Sequence, residues 1–304
     1  MAIATCSDAE FINHIRTLGI AGTSRHLGIN TRTVQRRRDK LGMKVGGATA
    51  PLVVSDKPVT HCVIPDVQAK PGVPLDHLKW AGEYIAEKRP DVIVCIGDFA
   101  DMASLSSYDR GKKSAENKRY RFDLEAAHKA MELLMAPIVA APNYKPRLVM
   151  TLGNHEDRIT RFVDDNPLLD DTLSLADLGY EAWGWEVIPF RKPICIDGVW
   201  YCHFFHSQNS QNAYSGSNLQ TRLNTIGFSF TMGHQQGLLT AIRDLSNGTR
   251  QRGLVCGSFY QHEESYKGPQ ANSHWQGIIF KHEVRAGSYD LMEVSLDFLR
   301  RRYG

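Results

Sequence analysis

From residue 60 onward, short apolar runs alternate with longer stretches of helical periodicity. Thr60–Pro65 is strand-like and ends at Asp66. Leu75–Lys88 places its apolar residues on one face of a helix, and Phe122–Val139 is a second long helical run. Between and after them, Asp91–Ile96 is apolar almost throughout and ends at Gly97-Asp98, while Arg147–Leu152 ends at Gly153-Asn154-His155-Glu156. Strands that are apolar on both faces belong in sheets covered on both sides, and their alternation with helices predicts an α/β fold. Five further strand-like runs, Val199–Cys202, Ser229–Met232, Gly253–Phe259, Gly277–Val284 and Tyr289–Val294, make the second half richer in strands.

The first 45 residues follow a different pattern. Asp8–Leu18 reads as a short helix through Phe11, Ile12, Ile15 and Leu18. A second short helix ends at Leu27, with Gly28 as the turn residue, and a third begins at Thr31 and runs to Leu41. Val34, Arg38 and Leu41 share one side of that third helix. A Leu-Gly-Ile turn followed by Thr-Val and a basic stretch resembles small helix-turn-helix segments of the Fis type over residues 8–44. The resemblance implies a DNA-binding unit over residues 1–45, with Arg32, Gln35, Arg36, Arg37 and Lys40 facing a duplex. Gly46–Pro51 has the small-residue composition of a linker, and residues 52–59 continue it as an extended connector to a large domain over 60–304.

Charge follows the same division. Residues 1–50 carry eight Lys/Arg against three Asp/Glu, while the other 254 residues carry 28 against 30. The surplus positive charge is therefore N-terminal and suits a polyanionic partner. At 42% hydrophobic and 23% charged, the chain of 304 residues can bury a sizeable core. No apolar run approaches the ~18 residues of a membrane span, and the first ten residues lack the basic flank and apolar stretch of a secretory signal. Six cysteines are scattered without a paired spacing, so buried free thiols in a reducing cytoplasm are expected. A compact chain of this make-up would suit a phage gene whose product works in the host cytoplasm.

The candidate chemistry lies at strand ends. In α/β sheets, ligands sit just beyond the carboxyl ends of strands. Five runs here stop at a metal-capable group: Asp66-Val67-Gln68, Gly97-Asp98, Gly153-Asn154-His155, His203 and Gly233-His234-Gln235-Gln236. Any one would be an ordinary turn; five in order are not. That order resembles the calcineurin-like metallophosphoesterases, over about residues 60–236, with Gly-Asn-His-Glu as the most specific piece. The resemblance implies a four-layer fold, two mixed β-sheets flanked by helices, and hydrolysis of phosphate esters at a dinuclear site. Asp66 would bind the first metal and Asp98 would bridge both. Asn154, His203 and His234 would hold the second. His155 would protonate the leaving oxygen. Two cations ~3.5–4 Å apart suit this chemistry because they neutralise phosphoryl oxygens and acidify water.

Two positions depart from the family pattern. Gln68 and Gln236 stand where the family has histidines for the first metal. That site becomes an oxygen set of Asp66, Gln68, Asp98 and Gln236, which favours Mg²⁺, Mn²⁺ or Ca²⁺ over Zn²⁺. The histidine-bearing site suits Mn²⁺, Fe²⁺ or Zn²⁺, so two divalent ions, Mn²⁺ foremost, are expected. A single-metal or vestigial site is the competing expectation.

Other candidates are softer. His206 rivals His203 and is otherwise a substrate-rim residue, Arg158 is placed to meet phosphate, and Asp101 would support a ligand. The stretch Tyr108–Lys113 and Arg119–Arg121 interleaves basic and tyrosine residues, as nucleic-acid grooves do. Trp183, Trp185, Tyr260, Tyr266 and Trp275 read as packing residues. The leading expectation is a metal-dependent phosphodiesterase or nuclease acting on DNA. A small-molecule phosphatase or cyclic-nucleotide phosphodiesterase, and a DNA-binding protein with a vestigial site, are the alternatives.

Overall fold

The computed structural model describes residues 6–8, 10–12, 14, 23–24, 26–41, 57–109, 111–170, 172–263 and 274–304. The linker and connector over 46–56, much of the expected first helix, and Tyr266 fall outside them. The chain divides into two compact units, Met1–Leu52 and Val53–Gly304.

In the first unit, the described residues are helical at 8, 10–12, 14, 23–24 and 26–27, and then form α1, Thr31–Lys40. Phe11, Leu27 and Val34 make a small buried core, with Cys6, Ile29 and Leu41 against it. The Asn30 side-chain oxygen accepts from the Thr33 N–H at 2.8 Å, capping the start of α1.

The second unit is built on two mixed sheets. Strands β1 (Val59–Ile64), β2 (Val92–Cys95), β3 (Arg147–Thr151) and β4 (Glu186–Ile188) run parallel in a six-stranded sheet completed by β10 (Gly277–Arg285) and β11 (Ser288–Ser295), antiparallel, in the order β11-β10-β1-β2-β3-β4. The other sheet has the order β5-β6-β7-β9-β8, from β5 (Ile194–Ile196), β6 (Val199–Tyr201), β7 (Phe230–Met232), β8 (Leu238–Asp244) and β9 (Arg250–Cys256). Here β6, β7 and β9 are parallel neighbours.

Side-chain alternation makes the layers. In β1 and β2, Cys62, Ile64, Ile93 and Cys95 pack with Leu78, Ala81, Tyr84 and Ile85 of α2 (Asp76–Lys88) and with Met131, Leu134 and Met135 of α3 (Tyr120–Ala140). The intervening Val63, Val94 and Ile96 meet Val199, Tyr201, Leu254 and Cys256 of the other sheet. On that sheet's far side, Phe230, Met232 and Val255 pack with Leu219 and Leu223 of α5 (Leu219–Ile226). Period-two strands with both faces apolar thus form a helix–sheet–sheet–helix stack. A buried polar chain crosses the middle: Lys281 Nζ donates to Tyr201 Oη at 3.1 Å and to Thr231 Oγ1, and His61 lies 2.7 Å from Tyr201 Oη and 3.0 Å from Asp197.

The strands read from the sequence are present with ends shifted by a few residues. The shortest elements were not legible in advance: α4 (Asp157–Asp165), β4, β5 and α5, together with the edge strand β8 and the terminal helix α6 (Leu296–Tyr303). All six cysteines are free thiols, four of them buried. Among the described residues, no helix is long and apolar enough to cross a membrane.

Candidate metal centre

The parallel strands of both sheets deliver their carboxyl ends to one place. Asp66 and Gln68 follow β1, Asp98 follows β2, and Asn154 and His155 follow β3; from the second sheet, His203 follows β6, while His234 and Gln236 follow β7. The backbone is bent to do this. Gln68, Asp98, His234 and Gln236 take left-handed φ values of 49°, 50°, 68° and 59°. Non-glycine residues rarely adopt this region, and such strain collects at sites that fix a side chain's aim. Two glycines let the loops close: a Cβ on Gly153 would lie 2.1 Å from Asp98 Oδ1, and one on Gly233 would lie 2.3 Å from Asp66 Oδ1.

The donor atoms converge. Asp98, His203 and His234 offer ligand atoms that all lie within 4.8 Å of one another. His203 Nε2 sits 3.2 Å from Asp98 Oδ2 and 3.0 Å from Asn154 Oδ1, and His234 Nδ1 sits 2.8 Å from the same Asn154 oxygen. His203 Nδ1 donates to the Ile96 carbonyl at 2.9 Å, which turns Nε2 toward Asp98 and Asn154. Asp66 is fully buried and receives the His234 backbone N–H at 3.2 and 3.1 Å. Gln68 is buried with neither amide atom hydrogen-bonded. Buried polar atoms without partners are costly, so a buried, unpaired amide at the end of β1 fits a cation's coordination sphere. Carboxylates, imidazoles and amide oxygens form a donor set suited to divalent metals.

Electrostatics carry the same message. Burial pushes the Asp66 carboxyl up to about 7, with His203 opposing and the Asp98 charge adding to the rise. Burial opposes the His203 imidazolium, but Asp98 beside it prevails and moves that pKa up to about 9. Burial and the charge of His203 take His234 down to about 4. Asp98 itself is held well below the usual carboxylate range, because His155 and His203 outweigh its burial. Two buried carboxylates side by side demand positive charge.

His155 also meets Asp98, its backbone N–H donating to Asp98 Oδ1 at 2.9 Å. Its Nδ1 is 2.7 Å from Asp101 Oδ1, and its Nε2 is 3.7 Å from Asp98 Oδ2. Burial lowers its pKa, but the Asp98 and Asp101 carboxylates raise it overall. Arg158 donates to the Asp101 backbone oxygen at 2.7 Å and to its carboxylate at 3.1 Å, and reaches to 3.2 Å from His155 Nε2. Asp101 therefore supports His155, and Arg158 braces the pair. His206 is not drawn into the cluster; its Nδ1 faces the Ser207 carbonyl at 2.9 Å.

A family model for calcineurin-like phosphoesterases matches residues 61–236. The chain belongs to the calcineurin-like phosphoesterase family. The family and the Asp98–His203–His234 cluster together support a metal-dependent phosphoesterase. Solved structures resemble this phosphoesterase distantly. A zinc-complexed Vps29 from Entamoeba histolytica is 11% identical, covering 78% of this chain and 99% of its own, with a TM-score of 0.33. A dimetal phosphatase from Danio rerio is 12% identical, covering 79% of this chain and 97% of its own, with a TM-score of 0.36. A comparison with curated proteins returns no match.

Sequence reading passed over two parts of this phosphoesterase site. Glu156 is fully buried, and its Oε2 accepts from the N–H groups of Asp98 (3.0 Å) and Gly153 (2.9 Å), while Oε1 accepts from Ala100 (2.9 Å) and Tyr180 (3.3 Å). It ties the β2 and β3 loops together. Tyr260 is buried, as a packing residue would be, but its hydroxyl donates to Gln236 Oε1 at 2.9 Å. The strand-end rule, applied to β9, would have found it.

In the N-terminal unit, Arg32, Arg36 and Lys40 are exposed on α1. Arg37 is held inward, 2.8 Å from Asp8 and 2.7 Å from the Cys6 carbonyl, with its guanidinium over Phe11. The Gln35 side chain lies outside the described residues. In the 108–121 stretch, Tyr108 is exposed, Tyr120 donates to Asp177 at 2.8 Å, and Arg121 pairs with Glu125 at 3.4 Å.

Proposed function

We propose that this chain is a two-metal phosphodiesterase acting on DNA, a nuclease. The carrying observation is the convergence of Asp98, Asn154, His203 and His234, with His155 beside Asp98 and held by Asp101. Asp66, Gln68 and Asp98 would hold one divalent ion; Asp98, Asn154, His203 and His234 would hold the other. Mn²⁺ suits both sets. Bound ions supply neutralisation of phosphoryl oxygens and a water made acidic near neutral pH.

The chain's own groups do the rest. Asp101 fixes the His155 ring through Nδ1, so Nε2 is the atom that moves a proton. Against the effect of burial, Asp98 and Asp101 raise the His155 pKa, which favours the protonated ring that would deliver its proton to the leaving oxygen. Arg158 lies beside Nε2 and would attract a phosphoryl oxygen there; His206 would meet the substrate at the rim.

Delivery to DNA rests on the N-terminal unit as a helix-turn-helix. Its surplus of basic residues and the exposed Arg32, Arg36 and Lys40 on α1 support phosphate and groove contacts, with Gln35 on the same helix. Arg37, turned to Asp8, would brace the unit. The free thiols suit a reducing cytoplasm, such as that of a phage host.

The test incubates the full chain with single- and double-stranded DNA and Mn²⁺, beside Asp98→Ala. Metal-dependent cleavage lost in Asp98→Ala is expected. Hydrolysis of para-nitrophenyl phosphate esters with no DNA cleavage would replace the nuclease reading with a small-molecule one. Arg32→Ala with Arg36→Ala is expected to weaken DNA binding and flatten its salt dependence, measured by gel shift across salt concentrations.

A further inference from the structure

The two residues standing where the family pattern has histidines are held in opposite ways. Gln68 is buried with both ends of its amide unpaired. Gln236 is also buried, but its oxygen already accepts from the Tyr260 hydroxyl at 2.9 Å. Tyr260 is fully buried beyond β9, outside the stretch that matches the family.

Tyr260 lies in a buried polar cluster. The Tyr260 oxygen is 3.3 Å from His274 Nε2, which is 2.7 Å from Ser258 Oγ. Ser258 is buried and pairs through its backbone with Asp66. A phenol has one proton to give. The Tyr260 proton goes to Gln236 Oε1, so the amide has its oxygen turned to Tyr260. Its NH₂ end is then the one that remains to donate. An NH₂ group cannot ligate a cation, but it donates well to a phosphoryl oxygen.

We propose that the two glutamines have divided their work. Gln68 gives its oxygen to the first metal. Gln236, oriented by Tyr260, donates a hydrogen bond to the substrate phosphoryl group and is not a metal ligand. This departs from the four-oxygen set that the sequence suggested, in which both glutamines ligate.

The inference rests on the metal-dependent reading of the site, and calorimetry separates the two. Mn²⁺ is titrated into the full chain and into Gln68→Ala, Gln236→Ala and Tyr260→Phe; inorganic phosphate is then titrated into each Mn²⁺-loaded protein. Gln68→Ala is expected to lose Mn²⁺ affinity about tenfold or more. Gln236→Ala is expected to bind Mn²⁺ as the parent does, within twofold, and to bind phosphate about tenfold more weakly. Tyr260→Phe removes only a hydroxyl, keeps the packing and should likewise weaken phosphate while sparing Mn²⁺. Equal loss of Mn²⁺ affinity in Gln68→Ala and Gln236→Ala would overturn the division of roles and leave the metal reading standing. Absence of Mn²⁺ binding by the parent chain would remove both.

Discussion

Asp101 shows how one side chain acts through another. It does not reach the metal-ligand cluster, yet it holds His155 Nδ1 at 2.7 Å and accepts from Arg158 at 3.1 Å. Its carboxyl is held well below the ordinary range, because the hydrogen bond from His155 outweighs burial. Asp101→Asn keeps the shape and removes the charge that orients and charges the imidazole. The expected result is a fall in kcat of about 10²-fold with Mn²⁺ binding unchanged, read by steady-state kinetics beside metal titration. A loss of bound metal would instead place Asp101 among the ligands' supports.

Between residue and fold, the loops after β2 and β3 behave as one element because Glu156 binds both. Its two oxygens take the N–H groups of Asp98, Ala100 and Gly153. Glu156→Ala would leave three buried N–H groups without acceptors, at a cost of at least about 3 kcal/mol. A marked drop in the thermal midpoint is expected, together with weaker Mn²⁺ binding as Asp98 loses its aim. An unchanged melting curve would show that water replaces the carboxylate without strain. Strand β1 illustrates the opposite case, where local pattern suffices: Cys62 and Ile64 go to the helices and Val63 to the second sheet, as period-two alternation requires.

For the whole second unit, buried bases tie stability to pH. His77 is almost fully buried, donates from Nε2 to the Phe259 carbonyl at 3.0 Å, and faces Gln261 Nε2 at 3.2 Å through Nδ1. It is thus neutral, with burial carrying its pKa down to about 3 against the pull of the Phe259 carbonyl. The unfolded chain takes up this proton near pH 6.5 and the folded chain does not. Its contribution is therefore fully present above about pH 6.5 and is lost as pH falls toward 3. Between pH 6.5 and 4.5 the loss is about 2 kcal/mol. Denaturant melts of the parent and of His77→Gln at those two values should differ by that amount; parallel losses would rule His77 out as the source.

The sequence by itself determined where chemistry could sit. Apolar runs ending in Asp66, Asp98, Asn154-His155, His203 and His234 are local facts, and parallel strands bring their carboxyl ends together whatever the details of the loops. The N-terminal charge surplus was equally legible, because it is a count. Tertiary structure decided which partner each group has. The ring nitrogen of His203 that faces the site is set by Ile96, 107 residues away, and the backbone N–H that meets Asp66 comes from His234, 168 residues away. Gln236 is tied to a tyrosine that the sequence offered only as packing. Burial periodicity is written in neighbouring residues, but a hydrogen-bond partner is chosen by strand order and loop closure across two sheets. No spacing along the chain encodes that choice.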